Sequence, residues 1–373
     1  MASRTFSALL LALLAACATA APSERKEGEA CSWRGGAGEC RFVEDCPEVR
    51  VMLKEGEVPD TCSFVAFKPV FCCPRAESVA TRMCAKYGEA VWKNVTTFGL
   101  PKQTYRVDLC RLRDTPLVTG GEQAKKSEFP HMALLGYGEY AQQNLEDMEE
   151  ASPWQCGGSL ISDRFVLTAA HCVVPEAPRW VRVGELVVGS TRDSPHEDVA
   201  VAQALPHPGY RRPRLYHDIA LLRLARPLAF SEGVRPACLY VRRPAPATKA
   251  VATGWGATDR FNVLEKSREL MKVVFPIHDT EVCQKTYPPD EKQPEGFLGE
   301  SMVCAGSLKS DKDTCKGDSG GPLQVRLEQP YCMYGLVGLT SFGKHCGSKN
   351  PSVYTRVAHY VPWIESVVWP EER

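Results

Sequence analysis

The sequence lacks an excess of charge of either sign. Its 373 residues include 45 lysines and arginines and 45 aspartates and glutamates. A balance of this kind gives no support to a nucleic acid or an anionic membrane surface as a partner. The chain also lacks an internal repeat, which argues against solenoid and propeller architectures.

Long hydrophobic runs are missing after the N-terminus. The first 20 residues, MASRTFSALLLALLAACATA, combine Arg4, an apolar run and the small-residue exit Ala18-Thr19-Ala20. This pattern is typical of a secretory signal peptide, cleaved near Ala20 or Ala21. The apolar run is shorter than the ~20 residues that a membrane-spanning helix needs. We therefore expect a secreted, extracellular protein without a membrane anchor.

Cysteine, by contrast, is abundant, with 17 residues in the chain. Cys17 leaves with the signal peptide, and the even number that remains predicts eight disulfides in an oxidising compartment. Paired C-x2-C clusters, the usual mark of a zinc site, are absent, so no metal is expected there. A structural calcium ion near Glu185, in the loop 184–198, is the one alternative that the acidic residues leave open.

The cysteines and the apolar runs divide the chain into four parts. After the signal peptide (1–20), residues 31–73 hold six cysteines, and a module this small needs disulfides for stability. A polar segment, 74–117, follows as a linker, and its Asn94-Val95-Thr96 sequon predicts a glycan on Asn94, or else an unmodified surface asparagine. From 118 to 373, short β-branched and aromatic runs bounded by Gly, Pro and Asp predict an all-β domain that ends in a helix over YVPWIESVV. The acidic run LEDMEE at 145–150 indicates a solvated loop, with an exosite for a basic partner as the alternative.

Three short strings in this last part carry chemistry. TAAHC, DIALL and GDSGGP contain His171, Asp218 and Ser319. A serine hydroxyl becomes a useful nucleophile when a histidine takes its proton and a carboxylate orients the histidine. We predict these three roles for the three residues. His217 is not expected to replace Asp218, because adjacent strand residues point to opposite faces.

The order of the strings, together with GWG at 254–256, resembles the chymotrypsin-type serine proteases. The resemblance covers residue 118 to about 369 and implies a double β-barrel with a C-terminal helix. It also implies an endopeptidase that needs no cofactor. The backbone N–H groups of Gly317 and Ser319 would form the oxyanion hole.

Substrate specificity is implied by the same resemblance. Asp313 occupies the position at the floor of the primary pocket, so the enzyme is expected to cleave after Arg or Lys. Ser341 and Gly343 match the strand that pairs with the substrate backbone. Ser352 stands where trypsin-like relatives often have glycine, and its hydroxymethyl group is expected to narrow the pocket.

The six-cysteine module ends in FCCP and resembles the clip domain of arthropod clip-domain serine proteases. Six cysteines alone allow 15 pairings. The two resemblances together imply the bonds Cys31–Cys72, Cys40–Cys62, Cys46–Cys73, Cys156–Cys172, Cys283–Cys304, Cys315–Cys346 and Cys110–Cys238. Elimination then pairs Cys84 with Cys332.

The stretch RLRDTPLVTGG at 111–121 is predicted to hold an activation site. In this family a new apolar N-terminus folds inward and its ammonium pairs with the aspartate before the nucleophile, here Asp318. The matching terminus is Val118, which places the cut after Leu117. A cut after Arg113 would leave four extra residues, about 13 Å of chain. The Pro-Leu before the cut resembles clip proteases of the Snake and Persephone kind.

Three hypotheses on function remain from the sequence. The first is a protease zymogen in an extracellular cascade, immune (Toll signalling or prophenoloxidase activation) or developmental. Its partners would be an upstream activating protease that prefers leucine, a downstream zymogen and a serpin inhibitor. The second is a non-catalytic clip-domain adaptor, which Ser319 disfavours, and the third is a digestive protease, which the clip module and the expected tether between the linker and the protease part disfavour.

Overall fold

The computed structural model describes residues 25–33, 36–65, 67–74, 78–97, 102–110, 121–138, 153–190, 195–257, 266–308, 318–344 and 349–372. Within these ranges, no helix has the length and apolar composition needed to cross a bilayer. The chain forms two compact units, Met1–Glu77 and Ser78–Arg373.

The first unit is a small antiparallel sheet built around disulfides. Its strands are β1 (Ala30–Trp33), β2 (Gly36–Phe42), β3 (Thr61–Val65) and β4 (Lys68–Pro74), in the order β1-β2-β4-β3, with helix α1 (Pro47–Lys54) between β2 and β3. Val49 and Phe71 join Cys46 and Cys73 in its buried cluster. So few apolar side chains give little hydrophobic stabilisation, and cross-links supply the rest. The bonds are Cys31–Cys72, Cys40–Cys62 and Cys46–Cys73, the pairs that the resemblance implies.

The second unit opens with a helix and a hairpin in the segment that the sequence suggested was a linker. Ser78 is the N-cap of helix α2 (Val79–Gly88), and its hydroxyl accepts a hydrogen bond from the Thr81 N–H at 3.1 Å. Strands β5 (Trp92–Thr96) and β6 (Thr104–Asp108) form the hairpin. The α2 backbone donates from Ala80 N to Glu365 Oε1 of the C-terminal helix at 2.8 Å, so residues 78–110 pack as part of the second unit. Asn94 is exposed on β5, and its glycan remains a prediction.

Six strands close into the first barrel, in the order β10-β13-β12-β11-β8-β9. They are β8 (Met132–Gly136), β9 (Trp154–Leu160), β10 (Phe165–Thr168), β11 (Trp180–Val183), β12 (Glu197–Pro206) and β13 (Ala220–Leu224). Leu135, Leu160, Val166 and Leu222 are among the buried side chains of its interior. The runs GSLISDRFVLTAAH and DIALLRL are apolar because their strands face this interior.

Eight strands form the second sheet, in the order β17-β20-β19-β18-β15-β16-β7, with β14 parallel to β19. They are β7 (Glu122–Gln123), β14 (Cys238–Leu239), β15 (Lys249–Gly254), β16 (Met271–Pro276), β17 (Met302–Ala305), β18 (Pro322–Arg326), β19 (Tyr334–Phe342) and β20 (Ser352–Arg356). Helix α3 (Thr280–Thr286) precedes β17, and helix α4 (Val357–Val368) follows β20. The expected C-terminal helix is therefore present.

Two expected disulfides are wrong. The structure joins Cys84 to Cys238 and Cys110 to Cys332, with Cα–Cα distances of 5.0 and 5.8 Å, in place of Cys110–Cys238 and Cys84–Cys332. The reason is that α2 packs beside β14, which places Cys84 within bonding distance of Cys238. The chain then runs through the β5–β6 hairpin, where Tyr331 donates to Asp108 Oδ2 at 2.9 Å and brings Cys110 to Cys332.

The other described cross-links belong to the β-layers of the second unit. Cys156–Cys172 and Cys283–Cys304 are formed as the resemblance implies. Cys315 and Cys346 lie outside the described residues.

Candidate active site

His171 and Asp218 come together at the edge of the first barrel. His171 lies in a 3-10 turn, Ala170–Cys172, directly after β10, and Asp218 lies just before β13, the neighbour of β10. His171 Nδ1 is 2.7 Å from Asp218 Oδ2, and the His171 backbone N–H donates to Asp218 Oδ1 at 2.9 Å. Two contacts to one carboxylate fix the ring and its tautomer, because the nitrogen that faces Asp218 must carry the proton.

The Asp218 carboxylate is 2% exposed. A buried carboxylate needs several donors to stay ionised. His171 supplies two of them and the Ser341 hydroxyl a third. Burial raises the pKa of Asp218, but the charge and hydrogen bonds of His171 and the Ser341 hydroxyl outweigh burial and leave the pKa below its usual range.

For His171, burial lowers the pKa, and the charge and hydrogen bond of Asp218 outweigh it, so the pKa is raised above its ordinary value. Arg212 acts in the opposite direction by charge repulsion. A histidine with a raised pKa is a stronger base, and this suits it to accept a hydroxyl proton as a nucleophile attacks. The carboxylate then stabilises the imidazolium that forms.

Ser319 lies on a loop that glycines allow to approach the first barrel. Gly320 has φ +74°, and a Cβ there would lie 2.1 Å from Thr168 Oγ1 and 3.0 Å from Ala169 N, two residues before His171. The loop is held by Gly157 N donating to Ser319 O at 2.8 Å and by Gly320 N donating to Thr340 O at 2.9 Å. Only glycine permits this conformation and this approach, so the sequence GDSGGP places its serine beside the histidine segment.

Strand β19 links the parts of the site. Thr340 holds the Ser319 loop through its carbonyl, and the next residue, Ser341, donates its hydroxyl to Asp218. The sequence resemblance assigned Ser341 to the substrate backbone, and it missed this side-chain contact. A serine near the end of an apolar strand carries no signal of its own in the sequence, because its partner lies 123 residues away in the chain.

Asp318 lies against the GWG string. Gly256 N donates to Asp318 Oδ1 at 2.9 Å. A Cβ on Gly254 would lie 2.1 Å from Asp318 Oδ1, and one on Gly256 would lie 2.5 Å from the carboxylate. The two glycines of the string are therefore explained by the space that this carboxylate occupies.

His217, which competes with Asp218 in the sequence, does not face His171. Its ring stacks on His207 at 5.1 Å between centroids, and its Nδ1 lies 3.1 Å from the Tyr360 hydroxyl. The expectation was right but its reason was incomplete, since residue 217 precedes β13 and has a left-handed φ of 55°.

Other predicted site residues are placed as follows. Ser352 is buried on β20, and Gly343 lies across from it, since a Cβ on Gly343 would be 2.9 Å from Ser352 Oγ. Asp313, Gly317, Leu117 and Val118 lie outside the described residues.

The carboxylates suggested for calcium do not fit an ion. Arg182 donates to Asp198 through two nitrogens at 2.7 Å each and to Glu185 Oε2 at 3.1 Å. The Arg182 guanidinium contacts both carboxylates, so a divalent cation would meet a positive neighbour there. Within the described ranges, the groups of metal-type ligands are Cys31, Cys40, Cys62 and Cys156, His171, Cys172, and their cysteines belong to disulfides.

Comparisons with known proteins agree with this geometry. The family model described as Trypsin matches residues 118–364. The chain belongs to the trypsin family of serine proteases. It is 36% identical over 358 residues to Serine protease snk of Drosophila melanogaster, covering 92% of this chain and 80% of that protein. It is 31% identical to CLIP domain-containing serine protease B4 of Anopheles gambiae over 90% of both chains.

Two further likenesses concern activity and fold. Phenoloxidase-activating factor 3 of Holotrichia diomphalia is 37% identical over 69% of this chain and 74% of its own. The solved structure of mouse neuropsin, a serine protease, has a TM-score of 0.55 and 31% identity over 67% of this chain and all of its own. The predicted chymotrypsin-like fold and serine endopeptidase activity are confirmed, and the chain is a clip-domain serine protease.

Proposed function

We propose that this clip-domain protease is a secreted zymogen that is cleaved after Leu117 and then activates another protease zymogen by cutting after Arg or Lys. The observation that carries the proposal is the Asp218–His171 pair beside the Ser319 loop, with the Asp318 carboxylate held at Gly256 N one residue away from the nucleophile. In this proposal the signal peptide is 1–20, the clip domain 31–73, the remainder of the light chain 74–117, and the protease domain 118–373.

Activation rests on Asp318. After the cut, the ammonium group of Val118 pairs with the Asp318 carboxylate and orders the loop that carries Gly317, Ser319 and the pocket residue Asp313. A terminus with additional residues cannot enter the same space, which excludes the arginines at 111 and 113 as productive sites. The activator is therefore a protease that accepts leucine, and the enzyme does not activate itself.

The activation site can be tested on the purified zymogen. Leu117→Arg creates a trypsin site at the predicted bond, with Arg111→Gln and Arg113→Gln removing the two neighbouring sites. Trypsin should activate the triple variant and produce a heavy chain that begins at Val118 by N-terminal sequencing. The matched control keeps Leu117 and carries the other two changes, and trypsin should leave it inactive. The wild-type zymogen, which retains Arg111 and Arg113, is treated with trypsin in parallel, and full activity in a heavy chain that begins at Asp114 would contradict the proposal.

Specificity rests on Asp313 and Ser352. Asp313 favours a cationic side chain, and Ser352, buried near Gly343, adds a hydroxymethyl group to the wall. Chromogenic peptides with Arg, Lys, Phe and Leu before the cleaved bond test this in the activated enzyme. Faster cleavage after Phe or Leu than after Arg would refute the pocket assignment, and Ser352→Gly should change the ratio of Arg to Lys rates.

A melanisation or Toll-type cascade is the setting that we propose, with a serpin as the inhibitor. The similarity to phenoloxidase-activating factor 3 of Holotrichia diomphalia supports this setting. A developmental cascade is the second candidate. The disulfides Cys84–Cys238 and Cys110–Cys332 hold the light chain to the protease, which suits a targeted regulatory protease better than a digestive one. Adding the cut enzyme to haemolymph and identifying the newly cleaved zymogen decides between cascades.

A further inference from the structure

The loop 207–218, which leads into Asp218, carries three exposed arginines in the sequence HPGYRRPRLYHD. They differ in their surroundings. Arg211 folds back on its own loop, where Nη1 donates to Pro208 O at 2.6 Å and to Tyr210 O at 2.8 Å. The charge of Arg214 acts on Tyr216, where it lowers the pKa of the hydroxyl while Glu295 and Asp290 raise it.

Arg212 lies on the side of the loop that faces the catalytic histidine. Its Nη1 donates to Val174 O at 3.3 Å, three residues beyond His171, so the guanidinium bridges the two segments that supply His171 and Asp218. Its charge acts on His171 and on Tyr210. Among the described residues it has no ion-pair partner, and its side chain is exposed.

We propose that Arg212 binds a carboxylate of the substrate, and that the preferred protein substrate has an aspartate or glutamate within two residues of the cleaved bond. A substrate in the cleft places the cleaved bond at His171 and Ser319. A cation held beside His171 by a backbone carbonyl therefore meets side chains close to that bond. An acidic side chain there gains a charge-assisted contact that a neutral or basic one does not.

The size of the effect follows from the exposure of Arg212. Exposed ion pairs contribute about 0.2–1 kcal/mol, and this converts to a preference of about 1.4- to fivefold at low salt. The contact is screened at high ionic strength because the Debye length falls to about 3 Å at 1 M salt. The same loop rejects a lysine at that position by charge repulsion.

The inference rests on the proposed endopeptidase specificity, and one peptide panel separates the two. The panel contains quenched fluorescent peptides of one sequence with arginine before the cleaved bond, and a second series with leucine there. In each series Asp, Asn or Lys is placed, one position at a time, at the two positions that precede the arginine or leucine and at the two positions that follow the cleaved bond. The ratio of kcat/KM for Asp over Asn reports Arg212, whereas the choice of arginine or leucine series reports the primary pocket.

The wild-type enzyme should cleave the Asp peptide about 1.4- to fivefold faster than the Asn peptide at one or more positions, and 1 M NaCl should abolish the difference. Arg212→Gln should remove the preference, and Arg212→Glu should invert it in favour of Lys. Arg223→Gln, an exposed arginine on β13, is the matched control and should retain it. Equal Asp and Asn rates at every position in the wild type, or a preference that survives Arg212→Gln, overturns the inference.

A pH profile gives a second readout that a merely structural role would not move. His171 is faced by Asp218, which raises its pKa, and by Arg212, which lowers it. Arg212→Gln should therefore shift the acid limb of kcat/KM to higher pH, because the charge that lowers the pKa of His171 is removed. An unchanged limb would show that Arg212 does not face the catalytic pair.

Discussion

His131 provides a quantitative test of the packing between the two β-layers. Its side chain is 1% exposed, lies near Phe129 and Tyr334, and has a buried Nε2 with no hydrogen-bond partner among the described residues. Burial, assisted by the charge of Arg235 and opposed by the influence of Gln324, lowers the pKa of His131 to about 3. The unfolded chain has the ordinary value of about 6.5.

The sign of the pH effect follows from these two values. Because the folded pKa is depressed, the unfolded state binds the proton more readily below pH 6.5. The stability associated with neutral His131 is complete above pH 6.5 and is lost as the pH falls towards 3. Between pH 7 and pH 5 the loss amounts to about 2 kcal/mol.

The variant His131→Phe removes the titrating group and retains an aromatic ring. We expect the free energy of unfolding of the wild type to fall by about 2 kcal/mol more than that of His131→Phe between pH 7 and pH 5. Urea unfolding followed by tryptophan fluorescence measures this, in a Ser319→Ala background that prevents autolysis. Phe129→Leu is the control, since it changes the packing but keeps the histidine and should keep the wild-type pH dependence. Equal pH dependence in the wild type and His131→Phe would refute the burial argument.

Two further predictions concern the tether and the triad. In the double variant Cys84→Ser/Cys238→Ser, the light chain should stay bound to the protease after activation, because the disulfide Cys110–Cys332 remains. Non-reducing electrophoresis measures this. Release of the light chain would favour the pairing expected from the sequence. Ser341→Ala removes a hydroxyl donor from the buried Asp218 carboxylate, so kcat should fall about tenfold, the equivalent of about 1.4 kcal/mol. Ser341→Thr, which keeps a hydroxyl, should retain most of the wild-type kcat. An unchanged kcat in the alanine variant would show that the contact does not contribute to catalysis.

The residues of the active site were accessible from the sequence because the chemistry constrains short strings. A histidine after a buried strand, an aspartate before another, and a serine between glycines are local patterns. The structure explains the glycines in and near these strings, because a side chain at these positions would clash with a neighbouring residue. Gly320 lies against Thr168, and Gly254 and Gly256 leave room for Asp318. A close approach of this kind requires glycine at one position, and for this reason the sequence alone can indicate it.

The disulfides near the light chain were not accessible in the same way. Counting and elimination treat cysteines as interchangeable, whereas the bond depends on which Cα atoms lie within about 6 Å. Helix α2 brings Cys84 to β14, and the hairpin after it brings Cys110 to Cys332. Residues 78–110 read as a polar linker because only one face of α2 is apolar, and the surface that covers this face comes from the far end of the chain.

The sequence by itself determined the fold class and predicted the three catalytic residues and the activation cut, because each depends on residue identity over a few positions. Tertiary structure alone decided which cysteines meet, that Ser341 supports Asp218, and that Arg212 is the arginine of its loop that faces His171. These are contacts between residues 38 to 222 positions apart. The paths of the intervening strands decide such contacts, and local preference does not encode those paths.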